Sequence, residues 1–356
     1  MPWDLLPTTA KSPALRRLCV AVAALGLILN PSLAPASAQK DSQSPVEEIV
    51  ANLAAGRVII AVVKDAIVVA TVENSVEPET RPPTPVALGS ERVGIILGPV
   101  YWFSPSSQQE LASLDTELPH LRSGRAGLGA QAPHLQANQT GHEASDIEAT
   151  GQGLLDRLNV IAKSLRGKVD TPSNEPLAEL ILADYLPDYG PEVWQLTYEM
   201  KQVEQERDFW ETHFLRPNYS QLWPPEKGQP RTLVEFDYPL ENSPATLLEL
   251  LRRKDSRLEK IRASSPKLAE VADLLLQGES NKVMSSDAVP FLRAAMSATA
   301  KPESRQTLAV IGQETGIQWI VPPPPEVRKS IQQAAQQPGQ TERPADAPSL
   351  LHPPSR

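Results

Sequence analysis

An α+β fold with two stacked β-sheets between outer helix layers is what the sequence predicts, and three observations predict it. The stretch Arg57–Glu73 holds six Val, three Ile and one Thr in seventeen residues, broken only by Lys64-Asp65. So many β-branched residues around a two-residue break read as an antiparallel hairpin. Neither arm alternates between apolar and polar, and strands of that kind expect cover on both faces. Finally, the helical patterns arrive in two separate blocks with strand-like runs before, between and after them. This fits helix layers outside a pair of sheets.

The 356-residue chain is long enough for one large domain or two ordinary ones. Its 36 prolines and 5% aromatic content suit one ordered core with Pro-rich flanks. A formal charge of −9, with no basic cluster, argues against a nucleic-acid surface. Lys11, Arg16 and Arg17 precede the apolar run Leu18–Leu29, and Ala36-Ser37-Ala38 follows as a small-residue cleavage site. Residues 1–38 therefore read as a secretory signal peptide, too short in its apolar part for an ordinary membrane span, with an uncleaved anchor as the alternative. The one cysteine, Cys19, falls inside that segment. A mature chain starting at Gln39 would have neither disulfides nor thiolate chemistry, a secreted or periplasmic location, no stable membrane span, and a charge of about −11.

Taken in order, residues 39–55 read as a polar lead-in, helical from Pro45, with Val46, Val50 and Leu53 on one face. The hairpin follows, then a loop with four prolines over Asn74–Pro85. Arg92–Phe103 reads as a third strand, punctuated by Gly94 and Gly98. Ser104-Pro105-Ser106 would open a short helix through Leu118, with Glu110 as a first-turn acid. Residues 122–151, rich in Gly, Ala, Gln, Asn and His, read as a mobile insertion. Leu154, Leu155, Leu158, Ile161 and Leu165 mark one face of a helix ending at Gly167.

Leu177–Leu186, apolar and β-compatible although its Leu and Ala also permit helix, and Glu192–Val203 read as strand candidates joined by the turn Asp188-Tyr189-Gly190-Pro191. The second sets Val193, Gln195, Thr197, Glu199 and Lys201 on one face, against Trp194, Leu196, Tyr198 and Met200 on the other. Phe209–Trp223 is aromatic but interrupted by proline and takes no firm assignment, whereas Thr232–Tyr238 alternates as a strand. Ser243–Ala300 reads as helices, the last of them capped by Ser286-Asp287. Thr307–Ile311 and Ile317–Val321 would be two closing strands turned by Gln313-Glu314-Thr315-Gly316. Residues 322–356 read as a Pro/Gln-rich disordered tail.

Four stretches carry a resemblance. They are the hairpin with Lys64-Asp65 at its turn, then Ser90-Glu91-Arg92-Val93-Gly94-Ile95, then Ala178–Asp184 with Tyr189–Trp194, and last Ala294–Ala300 with Leu308–Ile320. In this order, over roughly residues 56–321, they resemble the N-terminal nucleophile (Ntn) hydrolases, specifically proteasome-type β subunits. The resemblance implies a four-layer α-β-β-α sandwich and, because that family builds rings, self-association as a homo-oligomer. It also implies a Thr, Ser or Cys as first residue of the first strand, its freed amine acting as base. The matching position is Gly56, and Ala54, Ala55 and Arg57 beside it offer no nucleophile. An acid is expected near Val72 and a lysine within Thr84–Leu88, and neither is present. Glu73 is one residue out of register, on what would be the opposite face.

No catalytic, cofactor-binding or metal-ligating residue is therefore carried over, and no cofactor is implied. The expectation is an exported, non-catalytic Ntn-fold protein, a binding or assembly module with a peptide or protein partner. Two alternatives stay open. One is an Ntn peptidase or amidohydrolase activated by processing that exposes Thr71, Ser75 or Ser90. The other is an unrelated periplasmic α+β protein.

Remaining polar and aromatic groups read blandly. His120, His134, His142, His213 and His352 are scattered; Glu211-Thr212-His213 reads as a hydrogen-bonded histidine; Asp184 and Asp188 read as turn residues. Trp194, Trp210, Trp223 and Trp319 read as core or interface anchors. Asn138-Gln-Thr140 and Asn218-Tyr-Ser220 match the glycosylation pattern.

Overall fold

The computed structural model describes residues 50–73, 80–104, 109–114, 118, 121, 144–164, 176–186, 190–205, 209–238, 245–301 and 303–325. All of them lie in one compact unit, Val46–Arg356. Residues 1–38, read as a signal peptide, most of residues 122–151, read as an insertion, residues 188–189 of the expected turn, His120, His134, His142, His352 and residues 326–356 lie outside the described residues.

The predicted hairpin is present. Strands β2 (Gly56–Val62) and β3 (Ala66–Glu73) pair antiparallel in unbroken register from Gly56↔Glu73 to Val62↔Ile67. Every residue of both strands is buried, as expected of arms without polar alternation. A further strand, β1 (Val50–Ala54), precedes the hairpin, and β4 (Thr80–Arg81) and β5 (Val86–Ala87) follow it. Next come β6 (Arg92–Ser104), β7 (Gln109–Ser113), helix α1 (Ala144–Ser164), β8 (Pro176–Leu186) and β9 (Gly190–Gln205). Strands β10 (Phe209–Phe214), β11 (Asn218–Trp223) and β12 (Val234–Tyr238) lead into helices α2 (Leu247–Arg252), α3 (Ser256–Ser264), α4 (Pro266–Leu276) and α5 (Ser285–Thr299). Strands β13 (Gln306–Gly312) and β14 (Gly316–Val321) close the fold.

The molecule is α+β with two sheets. Among the described residues, one sheet has five strands in the order β12-β2-β3-β13-β14. The other runs β10-β9-β8-β6-β1-β4, with β11 also on β9 and with β5 and β7 also on β6. Side-chain alternation divides the core into three clusters. Ile59, Ala61, Val68, Ala70 and Leu308 pack with Leu251, Leu275, Phe291 and Leu292 of the C-terminal helices. The opposite faces of the same strands, Val58, Ile60, Ile67 and Val69, pack with Val93, Ile95, Ile181 and Val193 of the second sheet. That sheet's other face, with Leu180, Leu182, Leu196 and Tyr198, packs with Leu154, Leu155 and Leu158 of α1. Each buried Val, Ile or Leu contributes about 1.5–3 kcal/mol.

The structure corrects several expectations. Residues 50–54 form a strand rather than the end of a helical lead-in, so the fold begins before position 56. Val-Ala-Asn-Leu-Ala has no strong preference of its own, and pairing with β6 on one side and β4 on the other decides its conformation. The helix expected through Leu118 is replaced over Gln109–Ser113 by β7, folded back on β6 with Phe103↔Glu110 in register. Helix α1 starts at Ala144, inside the segment read as an insertion. Phe209–Trp223 becomes two strands, both paired with β9.

Finally, α5 starts at Ser285, and its cap comes from the hairpin turn rather than from Ser286-Asp287. Ser285 N–H donates to Asp65 Oδ1 and Ser285 Oγ–H to Asp65 Oδ2, both at 2.8 Å.

Candidate functional site: the Gly56 end of the inter-sheet layer

Gly56 stands where the chain passes from one sheet to the other. Ala54 is still paired with Gly98 of β6, and two residues later Gly56 is paired with Glu73 of β3 and Tyr238 of β12. Ala55 N–H donates to the Arg81 carbonyl at 2.9 Å. A Cβ at position 56 would be driven into the Val72 carbonyl oxygen and would lie 2.7 Å from Pro83 Cδ. Nothing larger than glycine fits without a backbone shift. The Gly56 nitrogen is a peptide nitrogen behind a strand built into the other sheet.

The inter-sheet layer has two unlike ends. At the hairpin-turn end, Ile317 N–H donates to the Ser90 carbonyl at 3.0 Å and closes the layer. At the Gly56 end polar side chains enter the layer beside the buried Val58 and Leu97. Thr71 and Glu73 share their face with Ile67 and Val69, and Thr307 shares its face with Ile311 and lies opposite Thr71. From the second sheet, Glu179 shares its face with Ile181, while Gln195 and Thr197 share theirs with Val193. Glu179 pairs with Leu97, one residue from the Gly98 that faces Ala54, so it lies at this same end. Strand β8 crosses over β3 and β13.

Glu73 is buried and fully engaged: Arg305 Nε donates to Oε2 at 3.0 Å and Nη2 to Oε1 at 2.7 Å. Glu179 is different. Burial pushes its carboxyl above the ordinary carboxylate range, and a hydrogen bond from Gln195 only partly offsets this. Thr71 is 1% exposed, and its Oγ1 has no hydrogen-bond partner. An orphaned hydroxyl in a well-packed interior is uncommon and asks for an explanation.

A second polar group lies on the helix side of the five-stranded sheet. Arg57 donates from Nε to Asp237 Oδ1 at 3.0 Å, from Nη2 to Asp237 Oδ2 at 3.2 Å, and to the Ala245 carbonyl at 3.0 Å. Beside it, Glu235 accepts the Leu247 and Leu248 N–H groups at 2.7 and 3.1 Å, tying β12 to the first turn of α2. Burial pushes the Glu235 carboxyl up, against those two bonds and the nearby Arg57 charge, which pull it down.

The other sequence candidates scatter. Asp184 is not a turn residue: it lies within β8, 2% exposed, and pairs with Arg92 of β6. His213 lies in β10. Trp194 Nε1–H donates to Glu192 at 3.0 Å, Trp223 is buried in the inter-sheet cluster, and Trp319 is exposed on β14. Asn218 opens β11 and is exposed. Among the described residues no three His, Cys, Asp or Glu gather as a metal site, and no helix is long and apolar enough to cross a membrane. Of the residues considered as processed nucleophiles, Thr71 is mid-strand between β2 and β13, Ser90 is exposed in the turn before β6, and Ser75 lies outside the described residues. Sequence reasoning missed Glu179, Gln195 and Thr307 as a group. Their only signal was strand alternation, which places residues on a face without saying what lies opposite.

Compared with protein-family models and with curated proteins, the chain matches none.

Proposed function

We propose that this is an exported, non-catalytic protein of proteasome-like, Ntn type, with its two sheets and helix layers arranged as a four-layer α-β-β-α sandwich, and that it acts as a binding or assembly module. The observation that carries this reading is the state of position 56. Chemistry of that type needs a hydroxyl or thiol on a residue whose amine is free. Gly56 has no side chain, no room for one, and a paired strand ahead of it. The resemblance in the ordered motifs supports the fold type, and the leader-like residues 1–38 support export. Self-association follows from the resemblance alone.

The test is turnover of a panel of fluorogenic peptide amides by the mature protein. The reading expects no release above the protein-free blank. Turnover that co-purifies with the chain and is lost on substituting a hydroxyl residue would overturn it.

A further inference from the structure

We propose that the outward surface of α2 and α3 is a docking face for an anionic lipid surface, held peripherally through its phosphate headgroups. This goes beyond the proposed function and stands whether or not the chain hydrolyses amides.

Between Arg252 and Arg262 the chain carries six Lys or Arg against two acids, a local charge of +4 in a chain of −9. The expectation of no basic cluster is thereby corrected. Asp255 and Glu259 interleave with the cations in sequence, but in the fold both acids are taken up locally. Asp255 caps α3 by accepting the Arg257 N–H at 2.9 Å and also pairs with the Arg257 side chain, while Glu259 pairs with Arg262. Arg252, Lys254 and Lys260 are exposed and have no carboxylate partner among the described residues, and Arg253 reaches Glu249 only at 4.0 Å. Leu251 and Leu258 of the same two helices turn inward to the core.

Lys254 supplies an independent observation. It follows the C-cap of α2, where its N–H donates to the Leu251 carbonyl at 3.1 Å and the Asp255 N–H donates to the Leu250 carbonyl at 3.0 Å. That closing turn ordinarily takes glycine, because its residue adopts a positive φ. Lys254 does so at φ 54°, and among the described residues it is the one non-glycine residue that does. Strain kept at an exposed position points to a use for the side chain. Attraction to the C-terminal end of α2 explains Arg252 and Arg253. It explains neither the strain at Lys254 nor Lys260, which lies in the second turn of α3.

The chemistry of the face selects the partner. The large hydrophobics exposed among the described residues are Val160, Leu215, Met284, Trp319 and Ile320, none of them on α2 or α3. A protein partner is held by aromatic or aliphatic anchors, which this face lacks. With no aromatic side chain on either helix, it also has nothing on which to stack nucleic-acid bases. Lipid phosphates need neither, since they move laterally to meet long cationic side chains and gain about fivefold in binding per Lys or Arg.

The test is co-sedimentation of the mature protein with vesicles of equal parts phosphatidylglycerol and phosphatidylcholine, and with phosphatidylcholine alone. Binding only to the anionic vesicles is expected at about 0.1 M salt, with its loss at about 1 M, where charges are screened within roughly 3 Å. Lys254→Glu with Lys260→Glu should weaken binding by about twentyfold or more. Lys227→Glu with Lys301→Glu, the same charge change outside the two helices, should leave it within about twofold. Lys254→Gly should weaken binding about fivefold while leaving the unfolding midpoint unchanged or higher, since glycine relieves the backbone. No binding at low salt, equal binding to phosphatidylcholine, or equal loss in the two double variants would overturn the inference. So would sedimentation without vesicles, which would mark self-association, or release from vesicles by duplex DNA, which would mark a nucleic-acid face.

Discussion

At position 56 a single added carbon meets backbone. Gly56→Thr is therefore expected to destabilise the fold by about 1–3 kcal/mol, as overpacked sites do, without conferring amide hydrolysis. A urea titration with a parallel substrate assay checks both halves. The Arg57–Asp237 pair, 4% and 8% exposed, behaves in the opposite way. Asp237→Ala removes the carboxylate that Arg57 Nε and Nη2 both bond in the interior and should cost about 3–5 kcal/mol, whereas replacing both partners by apolar residues should cost much less. Comparing the two unfolding midpoints decides it. Glu235 gives the pH dependence. Its folded-state carboxyl is raised above the ordinary value, so between the two values the folded state holds more proton than the unfolded one. Stability then falls as pH rises through that window, and the loss is complete above the raised value. Glu235→Gln should flatten this segment of the profile, measured as the difference between variant and parent midpoints. Residue identity at position 56 was legible in the sequence, but its steric closure was not, because Val72 and Pro83 reach it only through the fold.

Elements follow from sequence where their own pattern is strong. The β2–β3 hairpin, β6, β9, α1 and the β13–β14 pair carry dense β-branched runs or clear periodicity, and each was legible; β8, with Ile181 its only β-branched residue, was legible only as an apolar run that also permits helix. Elements whose conformation is imposed by neighbours were not: β1 and β7 are strands because β6 offers them an edge. The α5 cap shows the same limit. Its first residue is held by Asp65, 220 residues earlier in the chain, so no local reading could find it. Asp65→Ala removes both bonds and should cost about 1 kcal/mol, the usual worth of an N-cap side chain. Amide exchange should show that loss first in the opening turn of α5 and in the β2–β3 turn.

Among the described residues, two sheets packed face to face give a layer that is apolar at the Ser90 end and mixes polar side chains with Val58 and Leu97 at the Gly56 end. The clustering of Thr71, Glu73, Thr307 and Glu179 could not be read from the chain, because it depends on which strands stack, and stacking is set by long-range pairing. The same topology supports the proposed non-catalytic role: β1 belongs to one sheet and β2 to the other, so residues 50–55 are part of the fold rather than a leader ahead of it. The most direct measurement is the intact mass and N-terminal sequence of the mature protein from its native host. The account predicts a start upstream of Val50, with Gln39 as the expected first residue. A mature chain beginning at Thr71, Ser75, Ser90 or another hydroxyl residue inside the fold would contradict it.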